Sequence, residues 1–322
     1  MKDVCFIIPY FGHLKNYFPL FLQSCAKNEG FNWLILTDAS ISGTLPNNVR
    51  VISTSFEEIR KKIQKKFKFQ IALSSPYKLT DYKPAYGYLF QEYLYGFKFW
   101  GYCDTDLIWG KISEFITPEM LKTFDKIGEL GHCTLIKNSP ETNSAFMRKL
   151  HGFTRYEEVF TDERNLSFDE EYEESINNIF QESGFSIYKL QNLANVYAKS
   201  SLFKLTNLGN DARYTIEPKK KAFFEWNDGH LKRWALVQNR VRSKEYMYLH
   251  LQARAMRVKI PFNSIRYKII PNSFELIEET KITFQNFQNI KWRHLNFHYF
   301  QLRSHNLYDK IRLKINPYYR SR

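Results

Sequence analysis

The strongest constraint on this chain is an apolar, aromatic run that ends abruptly in two acids. Phe97-Lys-Phe-Trp-Gly-Tyr-Cys103 is followed at once by Asp104-Thr105-Asp106. A short apolar segment of this kind reads as a buried strand. Carboxylates at i and i+2 on the turn that leaves it can both face one cation. Hard oxygen donors of that sort suit Mg2+ or Mn2+ clamped to a diphosphate, where the cation stabilises charge developing on a leaving group. Asp-x-Asp alone is common in turns and helix caps. Its weight here comes from the strand before it and from Leu107-Ile-Trp-Gly110 after it.

Other segments fit the same architecture. Val4-Cys-Phe-Ile-Ile-Pro-Tyr-Phe-Gly12 is an apolar run closed by Pro and Gly, a buried parallel strand entering a turn. Asn32-Trp-Leu-Ile-Leu-Thr-Asp38 and Val49-Arg-Val-Ile-Ser53 read as further strands, with residues 14 to 27 helical between the first two. Lys83-Pro84 is expected to open a helix through about Tyr95, with proline in its first turn. Gly131-His-Cys-Thr-Leu-Ile-Lys-Asn138 reads as a later strand, and residues 168 to 180 as an acid-capped helix. Residues 186 to 237 suggest short strands, including a hairpin from Phe223 to His230 with an Asp-Gly turn. Strands alternating with helices indicate an α/β fold with a doubly wound sheet. Ligands bind beyond the carboxyl ends of such strands, so Tyr10 to Gly12, Asp38 and Asp104 to Asp106 are expected to meet in one crevice.

The composition, 43% hydrophobic and 17% aromatic over 322 residues, supports a sizeable core and excludes disorder as the default. No run approaches 18 apolar residues, and the start of the chain has no apolar stretch of signal-peptide length. Cys5, Cys25, Cys103 and Cys133 have neither CxxC nor zinc-finger spacing, which suggests reduced thiols in a cytoplasmic protein. The net charge of +14 is uneven. Residues 281 to 322 hold nine Lys or Arg against one acid, Asp309, and Arg60 to Lys68 carry six positive charges over nine positions. Such patches suit anionic lipid, phosphorylated substrates or nucleic acid. No RNP-like, KH or zinc-knuckle signature is present, so nucleic acid is not expected as a partner, although binding through the basic aromatic tail is the alternative reading. The absence of a P-loop or glycine-rich phosphate cradle argues against a phosphotransferase.

In Ile8-Pro-Tyr-Phe-Gly12, Tyr77-Lys-Leu-Thr-Asp-Tyr-Lys-Pro-Ala-Tyr-Gly87, Phe99 to Gly110 and Gly131 to Asn138, the chain resembles the GT-A glycosyltransferases. It is most similar to a group encoded among bacterial capsule and lipopolysaccharide enzymes, over roughly residues 4 to 255. The resemblance implies a GT-A, Rossmann-like mixed sheet flanked by helices over residues 1–280, followed by a basic aromatic extension over 281–322. It implies metal-dependent transfer of a hexose, galactose or glucose, from a UDP-sugar to a saccharide acceptor, lipid-linked, in capsule or O-antigen synthesis, with Mn2+ or Mg2+ as cofactor.

Carried onto this sequence, Asp104 and Asp106 would hold the metal, with Thr105 beside the donor. Pro9, Tyr10 and Phe11 would border the base, Asp38 would bond the uracil or ribose, and Lys83 would approach the ribose or diphosphate. A third metal ligand often comes from a late segment; His250 in Tyr248-Leu-His250-Leu is the candidate and His230 its rival. Inversion of configuration would need a carboxylate base, and Asp169 or Glu170 matches that place; retention would leave it no role. His132 and Asn138 are weaker candidates for the acceptor pocket. In the tail, Trp292, Phe297, Tyr299, Phe300 and Tyr308 lie among Lys291, Arg293, Arg303, Lys310, Arg312 and Lys314. That mixture suits peripheral attachment to an anionic membrane, the inner face of the plasma membrane; the alternative is a helix packed on the core with a solvated basic face.

Overall fold

The computed structural model describes residues 3–170, 172–197, 200–207, 214–217, 222–292 and, in the tail, 300, 304, 307, 308 and 311. The first strands are β1 (Val4–Pro9), β2 (Phe31–Thr37), β3 (Val49–Ser53), β4 (Phe99–Cys103), β5 (Leu107–Trp109), β6 (Lys126–Leu130), β7 (Cys133–Lys137) and β8 (Ile187–Tyr188). All but β5 form one sheet in the order β3-β2-β1-β4-β7-β6-β8. The run from β3 to β4 is parallel, whereas β7 is antiparallel to β4 and β6 to β7. The apolar character of β1 and β2 follows from burial on both faces. Phe6, Ile8, Trp33 and Ile35 face one core cluster, and Cys5, Ile7, Leu34 and Leu36 the other. Gly101 in central β4 has no room for a side chain: a Cβ there would lie 2.5 Å from both Leu135 Cδ2 and the Thr134 carbonyl oxygen.

The later strands are β9 (Gln191–Val196), β10 (Phe203–Asn207), β11 (Tyr214–Ile216), β12 (Ala222–Asn227), β13 (His230–Val237), β14 (Arg240–Glu245), β15 (Tyr248–His250), β16 (Arg257–Val258), β17 (Arg266–Ile270) and β18 (Ser273–Leu276). They build a second sheet, β11-β10-β9-β15-β5, and a third, β14-β13-β12-β17-β18-β16. The anticipated hairpin is β12 and β13, closed by Asp228 and Gly229 with φ of 47° and 93°, the paired positive angles of a type I′ turn. β5 matters most for function. It leaves the first sheet just past Asp106 and pairs antiparallel with β15, setting His250 opposite Leu107.

Three local expectations change. The helix expected from Lys83 to about Tyr95 is a chain of short turns: Pro76–Lys78, Leu79–Tyr82, Lys83–Ala85, Tyr86–Leu89 and Gln91–Tyr93. Pro84 lies inside this stretch rather than in its first turn, and its missing N–H interrupts the α ladder. The helix expected over 168 to 180 begins only at Ile176, because Ser175 caps it in a box with Asn178 and Glu174 has φ of 61°. Asp169 and Glu170 therefore sit in the turn before the helix, not in its first turn. The basic run at 60 to 68 lies on and just after the helix Phe56–Gln64 and finds its own partners. Arg60 and Lys61 pair with Glu57, and Lys62 pairs with Glu92 while lying over the Tyr93 ring.

Packing continues past residue 280. The helix Phe284–Ile290 buries Phe287 and Ile290 against Phe223 and Ile270 of the third sheet. Phe297, Tyr299, Arg293, Arg303, Lys310, Arg312 and Lys314 lie outside the described residues. All four cysteines are buried and free. Among the described residues no helix is long and apolar enough to cross a membrane.

A buried ion pair joins the segment carrying Lys83 to the loop carrying Asp169. Lys78 Nζ lies 2.8 Å from Asp81 Oδ2 and donates to the carbonyls of Val159 and Arg164. Asp81 in turn accepts the N–H groups of Leu166 and Phe168. With both side chains out of solvent, Asp81→Ala would leave an unpaired buried ammonium. It should lower stability by about 3–5 kcal/mol, read as a fall in the urea midpoint at unchanged slope.

Candidate active site

β4 ends at Cys103, paired with Cys133 of β7, and the Asp104 N–H continues that ladder to the His132 carbonyl (3.2 Å). The chain then turns through Thr105 and Asp106 into β5. Because β5 pairs with β15, the backbone following β15 returns against this turn. Leu251 N–H donates to the Asp106 carbonyl at 2.9 Å, and Ala253 N–H donates to Asp106 Oδ2. Gln252 and Ala253 hold φ of 56° and 50°, left-handed angles that aim the Ala253 amide at the carboxylate.

His250 Nε2 lies 3.2 Å from Asp106 Oδ1 and 3.7 Å from Asp104 Oδ2. Its other nitrogen, Nδ1, is 3.0 Å from Asn195 Oδ1, which also accepts from Gln252 Nε2 at 3.3 Å. A carboxamide oxygen can only accept, so Nδ1 carries a proton toward Asn195, and Nε2 of the charged ring carries the second toward Asp106, the place a bound cation would take. Burial opposes charge on Asp106, but His250 and the Ala253 amide outweigh it and hold this carboxyl below its ordinary range. Burial likewise opposes charge on His250, and Asp106 with Asp104 overcomes it, raising the imidazole.

One ligand atom from each of Asp104, Asp106 and His250 lies within 4.8 Å of the others. Two carboxylate oxygens and an imidazole nitrogen, with the ring oriented from behind by Asn195, fit a divalent cation. Mn2+ accepts such mixed oxygen and nitrogen donors more readily than Mg2+ does.

On the other side of Asp104, Lys83 Nζ donates to Asp104 Oδ1 (2.9 Å) and the Gly131 carbonyl (2.8 Å), and lies 3.2 Å from Asp169 Oδ2. Burial would lower this lysine, but the two carboxylates raise it well above its ordinary value, so it is a cation. Burial, with the Asp104 charge adding and Lys83 opposing, pushes Asp169 up to about 6. Glu170 accepts the Gly131 N–H at 3.3 Å. Gly131 is the close approach that permits this: a Cβ there would lie 2.5 Å from Asp169 Oδ2 and 2.8 Å from Glu170 Oε1.

These groups open into one cavity of about 570 Å3 at the carboxyl ends of β1 and β4. Its lining includes Pro9, Tyr10, Phe11, Lys83, Asp104, Thr105, Asp106, Asp169, Glu170 and His250, all expected from the sequence. Asp38 is not in the lining. It is exposed at the end of β2, where its Oδ1 accepts the Gly12 N–H at 3.2 Å and ties down the loop after β1. His132 lines the cavity but is buried, stacked 4.3 Å from the His250 ring; burial and the charges of His250 and Lys83 keep it neutral. Asn138 lies elsewhere and supports the turn before β4, donating to the carbonyls of Leu94 and Phe97. His230, the rival ligand, sits with Glu114 and Glu245, away from Asp104 and Asp106. Asn195, Gln252, Ala253 and Lys15 carried no sequence signal that marked them for this site, and Tyr77 and Gly131 lay in stretches that carry the resemblance without being given a role.

The fold and the site define a mixed α/β protein with a buried two-carboxylate, one-imidazole cluster at the strand ends. The chain belongs to a family of unknown function, DUF6625, whose profile matches residues 6–278. No curated protein sequence matches it. Among solved structures it is similar to the galactosyltransferase LgtC in complex with donor and acceptor sugar analogs, at 14% identity and a TM-score of 0.32, covering 60% of this chain and 74% of that one. An active-site mutant of LgtC matches at 12% identity and a TM-score of 0.37, covering 79% and 88%. Likeness at that level carries no correspondence of residues or of activity.

Asn195 holds His250 from behind without reaching the cluster's centre. Asn195→Ala should therefore weaken Mn2+ binding by about 10–100-fold, measured by the loss of free Mn2+ signal in electron paramagnetic resonance titrations.

Proposed function

We propose that this chain is a metal-dependent glycosyltransferase of the GT-A type, moving a hexose, galactose or glucose, from a UDP-sugar to a saccharide acceptor. The observation that carries the reading is the convergence of Asp104, Asp106 and His250 at the floor of a 570 Å3 cavity, beyond the ends of parallel strands. The parallel run from β3 to β4, interrupted by the antiparallel β7, with Asp-x-Asp leaving β4, supports GT-A over other doubly wound arrangements. A nucleic-acid-binding protein would leave these buried carboxylates unexplained.

Asp104, Asp106 and His250 would hold Mn2+ or Mg2+, which when bound neutralises charge developing on a diphosphate leaving group. Pro9, Tyr10 and Phe11 border the base, and Tyr10 is pinned for this by donating to the His13 carbonyl at 2.7 Å. Lys83 keeps Asp104 in position and adds a fixed positive charge beside the phosphates. Asp169, with its raised carboxyl in the same cavity, is the group to take the acceptor proton if configuration inverts.

Calorimetric titration with UDP, with and without Mn2+, tests the reading. Wild type should bind UDP only with metal, and Asp104→Ala or Asp106→Ala should abolish it; metal-independent binding that survives in both variants would sink the proposal. In the active enzyme, inversion predicts that Asp169→Asn lowers turnover by about 10²–10⁴-fold and removes a rise in rate through about pH 6. Retention predicts neither.

The acceptor in this reading is lipid-linked, in capsule or O-antigen synthesis, and the protein is cytoplasmic and peripheral on the inner membrane face. Support comes from the tail, where Trp292, Phe300, Leu307, Tyr308 and Ile311 are all exposed in a segment of strong positive charge. Since Phe287 and Ile290 belong to the core, the informative truncation removes only residues 293 to 322. That variant should no longer sediment with phosphatidylglycerol vesicles at low salt, whereas wild type should; equal sedimentation would refute the tail's role.

A further inference from the structure

Resting on the glycosyltransferase reading above, we propose that Tyr77, Thr80, Asn165 and Ser167 form the acceptor subsite, binding a saccharide whose apolar ring face stacks on Tyr77. All four line the cavity. Tyr77 is 74% exposed although a large aromatic residue, and it lines the same cavity as the charged groups Lys83, Asp104 and Asp169. Its backbone is not loose: Pro76 precedes it, buried Lys78 follows it in the same turn, and its carbonyl accepts the Thr80 hydroxyl at 2.8 Å. A rigid ring presented to solvent at the mouth of a cavity offers contact area at small entropic cost.

The groups around the ring match a pyranose. Asn165 Nδ2 donates to Thr80 Oγ1, while Asn165 Oδ1 accepts from the Ser167 N–H (3.0 Å) and hydroxyl (3.3 Å). This is an exposed strip of hydroxyl and carboxamide, able to trade internal bonds for those of sugar hydroxyls. Asp169 and Glu170 follow two and three positions after Ser167 and line the same cavity as Tyr77. Carboxylates beside the ring accept hydroxyl protons and repel a second phosphate. That favours a neutral saccharide over a nucleotide at this wall. It also brings a hydroxyl of the stacked sugar to Asp169.

The buried Lys78–Asp81 pair explains why the wall is preformed. Asp81 accepts the amides of Leu166 and Phe168 on either side of Ser167, and Lys78 adjoins Tyr77. Both halves of the subsite are thereby fastened to one ion pair.

The test uses the full chain with saturating UDP and Mn2+, and reads saturation-transfer NMR to lactose, methyl β-D-glucopyranoside and methyl α-D-mannopyranoside. At least one of these sugars should receive saturation from wild type and from Tyr77→Phe, which keeps the ring. Tyr77→Ala should weaken that sugar by about tenfold or more, and Asn165→Ala should weaken it in the same direction, with circular dichroism and UDP affinity unchanged. Sugar binding unaffected by Tyr77→Ala overturns the proposal. So does a fall in UDP affinity in Tyr77→Ala, which would assign the ring to the donor, and so does the absence of saturation transfer from wild type to any of the three sugars. Failure of wild type to bind UDP with Mn2+ is a different result: it removes the glycosyltransferase reading and the subsite with it.

Discussion

The buried ammonium of Lys83 is the contact on which the rest of the site depends. It touches Asp104 on the turn after β4, the Gly131 carbonyl before β7, and Asp169 on the loop before the helix Ile176–Glu182. Three chain segments distant in sequence are thus held by one charge. A lone buried cation at Lys83 would be untenable, as would the buried carboxylate of Asp169 without it. Together they are mutually stabilised, and the two acids keep the lysine charged where burial alone would neutralise it. The compensation is incomplete at Asp169, whose carboxyl stays raised. One cavity therefore holds a carboxyl kept below its ordinary range, Asp106, and one raised to about 6, Asp169. Environments that drive two acids apart in this way let one stay charged while the other can take up or release a proton.

The second sheet supplies the other half of the cluster. Asp106 and Ala253 are 147 positions apart in sequence, yet the Ala253 amide reaches the Asp106 carboxylate because β5 and β15 pair in a register that sets His250 beside the turn. Parallel pairing of β15 with β9 sets His250 level with Asn195, which orients the ring. Shifting that register by one residue would turn His250 to the opposite face, so the metal cluster depends on the fit of three short strands. The aromatic packing beneath them, Trp109 against Phe6, Trp33 and Tyr248, makes such a slip expensive.

Charge is divided by location. The chain carries +14 overall, yet the cavity gathers Asp104, Asp106, Asp169 and Glu170 around the single buried Lys83. On and just after the helix Phe56–Gln64, Arg60 pairs with Glu57, Lys62 pairs with Glu92 and lies over the Phe90 ring, and Lys66 lies over the Tyr88 ring. Surface pairs of this kind contribute little to stability. Net charge alone records the basic surface and hides the cluster of acids in the cavity.

By itself the sequence determined β1 to β4 and β7 of the first sheet and the turn that carries Asp104 and Asp106, but not β6. Burial on both faces demands continuous apolar runs, and each run ends where its chemistry changes. It also settled the Asp228-Gly229 hairpin, because paired positive φ values leave few residue choices. Local signals failed where tertiary contacts overruled them: Pro84 interrupts a helix that would otherwise begin there, and Ser175 starts a later helix past the acids expected to cap it. Only the tertiary structure could say which of His250 and His230 lies beside Asp104 and Asp106, since each is a histidine on a strand and the answer lies in which strand β5 pairs with. The same holds for Asn195, for the Ala253 amide, and for Tyr77 and Asn165 at the rim. Strand pairing and buried ion pairs join residues far apart in the chain, and no local pattern of apolar and polar residues records which distant partner each will meet.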